Sequence, residues 1–270
     1  MSSKKTSGGF SFAIASLAVA ICIGIGIFIY TVILGNPNNF DAEGHPKPGN
    51  VLGIMYKGGF IVPILIGVLL TVLTFAIERF LTIQKAMGKQ PAEKFIATIK
   101  GFLASHQYDE ALAECDKQGG SLANVIHEGV SKLIYVKNDN KMDKEAKVAA
   151  IQKSIEEAIA LELPMLSKNM VVISTCASIG VLVGLIGTVF GMIRAFAALA
   201  TAGAPDTSAL ATGISEALVN TAIGIVSSAL AIIFYNLFNN RVDQLTYAMD
   251  EAGFSIVQEF QSSEKSAVTV

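Results

Sequence analysis

Four stretches of this chain are too long and too apolar to be ordinary core helices. They fall at about residues 10–34, 59–83, 170–200 and 210–238. A membrane-crossing helix needs about 20 mostly apolar residues, because the hydrocarbon layer is about 30 Å thick and each residue rises about 1.5 Å. All four stretches meet that length. Composition points the same way: 52% of the 270 residues are hydrophobic and only 16% are charged, against roughly 25% charged in a soluble domain. The formal net charge of −2 gives no reason to expect nucleic acid as a partner. Trp is absent, so any aromatic belt at the membrane surface rests on Tyr and Phe.

The first stretch follows a short basic start at Lys4 and Lys5. A signal peptide is the competing reading. Signal cores run to about 7–15 residues and end at a small-x-small cleavage site; this run is longer and lacks that ending, so a spanning helix is expected. Residues 36–58 are rich in Gly, Pro and Asn and read as a loop. The second stretch carries Pro63 and ends in Glu78-Arg79, a pair that reads as an interfacial anchor. Residues 84–166 differ in kind. They hold most of the lysines, a similar number of acids, and helical spacing over about 91–106, 109–117, 122–136 and from 144 onward. Gly119-Gly120 is a break, whereas Pro164 interrupts the last helix without having to end it.

The expected fold is therefore an all-α integral membrane protein with four transmembrane helices, whose long helices extend into a cytoplasmic helical domain. The divisions are an N-terminal span (1–35), a periplasmic loop (36–58), a second span (59–83), the cytoplasmic helical domain (84–166), a third span (167–200), a periplasmic turn (201–209), a fourth span (210–238) and a cytoplasmic tail (239–270). In that tail one amphipathic stretch, with Val242, Leu245 and Met249, gives way to a frayed end. Orientation follows the rule that Lys and Arg gather near cytoplasmic span ends. Lys4, Lys5, Arg79, Lys85, Lys89, Lys168 and Arg241 all mark the cytoplasmic side, and the 201–207 segment has no basic residue.

Enzymatic chemistry finds no foothold. Cys22, Cys115 and Cys176 are far apart in sequence and read as reduced packing residues. His45, His106 and His127 are scattered, and no HExxH, Walker loop or GxSxG occurs. Nothing calls for a cofactor or a metal.

The last two spans carry more polarity than lipid contact requires. Thr212, Glu216 and Asn220 recur every fourth residue, which keeps them within about 80° of arc. Ser227 returns to that line, Gly213 lies beside it, and Thr221, Gly224 and Ser228 widen it. A glutamate inside a span costs several kcal/mol unless it faces a cavity or a partner, so Glu216 is a functional candidate. In the third span Gly180, Gly184, Gly187 and Gly191 form a small-residue stripe of the kind that lets helices approach closely, with Thr188 within it. Counting outward from the turn near 204–205, Thr188 and Thr221 fall at one depth, and Arg194 and Glu216 at another, nearer the outer surface. The bland readings stand beside these. A lone Thr bonds its own helix carbonyl. A Gly stripe is a packing seam. Glu216 and Arg194 form a structural ion pair without a transport role, and Asn220 bridges helices.

The stretch Gly184-Leu185-Ile186-Gly187-Thr188-Val189-Phe190-Gly191-Met192-Ile193, with Gly213-Ile214-Ser215-Glu216-Ala217-Leu218-Val219-Asn220-Thr221-Ala222-Ile223-Gly224, resembles the MotA/TolQ/ExbB proton-channel family, and within it ExbB. The resemblance covers about residues 58–241. It implies a homopentamer in a bacterial inner membrane around a dimer of single-span ExbD-like partners, energising a TonB-like protein for outer-membrane uptake. It also implies that Thr188 and Thr221 are pore-facing hydroxyls that meet the partner's membrane Asp, with Glu216 as the family's intramembrane glutamate. The proton path then takes in Thr188, Thr221, Glu216, Asn220, Thr212 and Ser227, and Gly180, Gly184, Gly187, Gly191, Gly213 and Gly224 pack the helices. Three features depart from the family pattern: the N-terminal span is additional, Val181 stands where Pro is frequent, and Asn220 stands where a small apolar residue is usual. A TolQ-like role in envelope maintenance or motility, a passive membrane scaffold and a small-solute transporter are the alternatives.

Overall fold

The computed structural model describes residues 8–139, 141–200 and 207–268, with side chains from 13 and up to 263. Lys4, Lys5 and most of the expected 201–209 turn lie outside the described residues. Among the described residues the protein is all-α with no strand, and four helices are long and apolar enough to cross a membrane. It is a multi-pass membrane protein. The helices are α1 (Gly8–Phe28), α2 (Val51–Tyr56), α3 (Val62–Met87), α4 (Ala92–Ala104), α5 (Tyr108–Gln118), α6 (Gly120–Lys137), α7 (Lys144–Ser167), α8 (Met170–Ala200) and α9 (Thr207–Val268). The chain divides into two compact units, one made of Met1–Ile77 with Asn169–Asn236, the other of Glu78–Lys168 with Leu237–Val270.

In the first unit, α1 continues as a π-helical stretch, Ile29–Leu34. It packs on α3 through glycine. A Cβ on Gly26 would stand 2.5 Å from the Pro63 carbonyl oxygen, and one on Gly67 would stand 2.9 Å from the Ile23 Cα. Elsewhere α1 presents Leu17, Ile21, Ile25 and Phe28 outward, an apolar surface suited to acyl chains. The 36–58 segment, expected to be loop, is more ordered than that. Asn39 donates from Nδ2 to the Ile33 and Leu34 carbonyls, closing the end of the π-helical stretch. Asn50 donates to Asn39 Oδ1 and accepts from the Gly53 amide, which caps α2. Tyr56 then stacks on Tyr30 at 4.7 Å. Capping side chains, rather than periodicity, build this segment.

The second unit has its own core, centred on Phe95, Leu103, Leu122, Ile126, Leu133 and Ile151, all nearly inaccessible. Gln118, also buried, ties the turn before α4: its Nε2 donates to the Met87 and Gln90 carbonyls and its Oε1 accepts from the Gln90 amide. Gly120, at φ +83, packs so closely on the Ala86 carbonyl that no side chain fits. Asp143 caps α7 by accepting from the Ala146 amide at 2.7 Å. Pro164 lies inside α7, which ends at Ser167.

Two expectations change. The tail does not fray after Met249; α9 runs unbroken to Val268. Its buried residues Val242, Leu245, Met249, Ala252, Ile256 and Phe260 recur every three or four positions, and that stripe is covered within the second unit. Arg79 is not a surface anchor. It is 1% exposed, pairs with Glu78, and donates from Nη1 to the carbonyls of Met165 and Leu166 at the end of α7.

Candidate functional site

The α8–α9 seam is built from glycine because two helix backbones meet there. A Cβ on Gly180 would stand 2.6 Å from Ser228 Oγ, and one on Gly224 would stand 2.6 Å from the Gly180 carbonyl. Gly184 faces Asn220, Thr221 and Gly224, and Gly187 leaves a notch that the Asn220 side chain fills. Gly191 and Gly213 face each other at the end of the seam nearest Ala200 and Thr207. All six glycines are buried. Close approach of this kind gives membrane helices their dispersion contact without any hydrophobic drive.

On that seam the polar residues fall into two groups. Glu216 (2% exposed), Asn220 (0%) and Ser227 (0%) are enclosed within the protein. Thr188, Thr212 and Thr221 are half-buried. Each hydroxyl donates to its own helix: Thr188 to the Leu185 carbonyl, Thr212 to Ser208, Thr221 to Ala217 and Ser227 to Ile223. A hydroxyl has one proton to donate and two lone pairs. With the proton engaged, Thr188 and Thr221 present acceptors outward.

Arg194 Nη1 donates to both carboxylate oxygens of Glu216, at 2.9 and 2.8 Å. The guanidinium stands 5.9 Å from the Phe60 ring centroid, and Phe60 meets Phe190 edge to face at 5.5 Å. Asn220 donates from Nδ2 to the Gly58 carbonyl at 2.9 Å, while its Oδ1 is buried without a partner among the described residues. Ser228 Oγ is in the same state. Gly58, Gly59 and Phe60 thus belong to the site, although they sit at the blurred edge between loop and span and carry no periodic signal. The Gly58-Gly59 pair was the one mark a sequence reading could have used. Among the described residues no group of His, Cys, Asp and Glu is arranged to hold a metal.

Residues 120–251 match one family, and the match takes in α6, α7, α8 and most of α9 with the whole polar seam. This part of the chain belongs to the MotA/TolQ/ExbB proton channel family. Helices α1 and α3 lie outside the matched stretch, but individual relatives reach further. The Tol-Pal system protein TolQ of Pseudomonas aeruginosa is 27% identical over 184 residues, 66% of this chain and 79% of that protein. The biopolymer transport protein ExbB of Pseudomonas putida is 25% identical over 222 residues, 79% of this chain and 66% of that protein. The ExbB of Salmonella typhimurium reaches 37% over a shorter 70-residue stretch, 26% of this chain and 29% of that protein.

Proposed function

We propose that this chain is the multi-span subunit of a proton-driven motor in a bacterial inner membrane, with both termini and the 84–166 domain in the cytoplasm. Five copies enclose the single-span helices of an ExbD-like dimer, and the work is delivered to a TonB-like protein for outer-membrane uptake. The supporting observation is that Thr188 and Thr221 stay half open on α8 and α9, the two helices at the heart of the proton-channel family match.

The chemistry follows from the hydroxyls' bonding. A protonated partner Asp donates its O–H to the free lone pairs of Thr188 or Thr221. An ionised Asp needs a donor instead, so a Thr must give up its own carbonyl bond to Leu185 or Ala217. Protonation therefore changes which contact is favoured, and it also removes a charge that costs several kcal/mol inside the membrane. A twofold partner inside a fivefold ring cannot satisfy both Asp residues at once, and the mismatch drives stepwise rotation.

A TolQ-like role in envelope maintenance is the second reading, favoured by the match to 79% of the P. aeruginosa TolQ. Complementation separates them. A strain lacking its own ExbB regains energised uptake with this chain and its cognate partner if the first reading holds; rescue of only a TolQ-deficient strain favours the second. In either background Thr188→Val and Thr221→Val abolish function while assembly persists. Function that survives both substitutions, or survives a proton uncoupler, removes the motor reading and leaves a scaffold.

A further inference from the structure

Three consecutive residues ahead of α3 each meet one member of the polar seam. The Gly58 carbonyl accepts from Asn220. Gly59, at φ +76, lies against the Glu216 carboxylate; a Cβ there would collide with Oε1 and stand 3.0 Å from Cδ and 3.4 Å from Arg194 Nη1. Phe60 lies under the Arg194 guanidinium. The sequence permits this only because residue 59 is glycine: the left-handed backbone and the missing side chain are both required for the chain to pass so near a carboxylate.

We infer that Gly58-Gly59-Phe60 is a lid over the Glu216–Arg194 ion pair, and that Asn220 is the positioning residue that holds it shut. Asn220 sits one helical turn from Glu216 on α9, so it shares the face of the carboxylate it guards. Its side chain is braced in the Gly187 notch, which fixes the direction of Nδ2. Its bond to Gly58 joins α9 directly to the lid, and it lies immediately beside the Gly59 bend. With the lid closed, Glu216 has the guanidinium on one side and backbone on the other. With it open, the carboxylate loses its wall and becomes reachable from the membrane.

The inference concerns the same site as the motor reading, but its readout is chemical, so either can fail without the other. Dicyclohexylcarbodiimide enters membranes and adds to a carboxyl group that is protonated and accessible; a carboxylate held on a guanidinium behind a wall is neither. Membranes containing the full chain are exposed to the reagent at pH 7, and modification of the peptide carrying Glu216 is measured by mass spectrometry. The wild-type chain is expected to label slowly. Arg194→Gln, Asn220→Ala and the nearly isosteric Asn220→Leu are each expected to label at least about fivefold faster. Cys176→Ala, which trims a buried packing side chain elsewhere on α8, stays within about twofold of wild type. The inference is overturned if Asn220→Leu labels at the wild-type rate, since packing then suffices. It is also overturned if Cys176→Ala accelerates labelling equally, or if Arg194→Gln leaves it unchanged.

Discussion

Gly191 on α8 and Gly213 on α9 are reciprocal contacts: a Cβ on either would stand 2.7 Å from the other's carbonyl oxygen. Both obstacles are backbone, so neither can rotate away. Gly191→Val or Gly213→Val is expected to destabilise the helix pair by at least about 2 kcal/mol, the range seen when a packed core is overfilled. Denaturation in mixed detergent–SDS micelles measures this. Gly101 on α4 is the contrasting position, with nothing within 4 Å of its Cβ site. There Gly101→Ala gains about 0.5–1 kcal/mol of helix stability.

The Arg194–Glu216 pair is asymmetric, and the two single substitutions should differ. The Glu216 side chain is 3% exposed, that of Arg194 54%. Arg194→Gln strands a buried carboxylate, at a cost of about 3 kcal/mol. Glu216→Gln strands a guanidinium already half in the open and costs about 1 kcal/mol. The same unfolding assay ranks them, and equal losses would argue that Arg194 is as enclosed as its partner. The swap Arg194→Glu with Glu216→Arg recovers part of the loss.

Arg79 spreads its planar donors between the Glu78 carboxylate, through Nε and Nη2, and the carbonyls of Met165 and Leu166, through Nη1, an array that lysine lacks. Arg79→Lys is therefore not conservative. A loss of about 2 kcal/mol is expected, more than half of that for Arg79→Ala, read from the thermal transition of the purified chain.

Burial pushes the Cys115 thiol up to about 12, with Asp116 and Glu114 adding to the shift. Its folded value lies above the ordinary value of 9.0, so the stability linked to it is fully present below pH 9 and is lost as pH rises from there toward 12. Cys115→Ala should flatten the part of the stability–pH curve above pH 9 relative to wild type. Iodoacetamide at pH 8 should modify Cys115 only after unfolding, because thiolate is the reactive form. Rapid modification of the native chain would contradict this.

The seam shows how far a linear reading reaches. Spacing brought Glu216, Asn220 and Ser227 onto one line with Thr212, and the depth count set Arg194 opposite Glu216. Spacing alone could not divide that line into the enclosed residues and the half-open ones, because periodicity gives relative angles and not the direction of a neighbour. The α9 extension is legible in the sequence: Ala252, Ile256 and Phe260 continue the rhythm of Val242, Leu245 and Met249. The burial of Arg79 was not legible, since a Glu-Arg pair at a span end reads the same whether it meets water or the end of another helix.

By itself the sequence determined that the chain crosses a membrane several times and which helices carry the polar seam. Bilayer thickness imposes a run length, and a carboxylate among apolar residues stands out against any such run. Only the tertiary structure decided that three residues before α3 close over Glu216. That contact joins positions more than 150 apart through a backbone bend and a single carboxamide, as Asn220 and Gly58 do. Neither leaves a periodic trace in the chain, because it is the packing of α3 against α9 that brings them together.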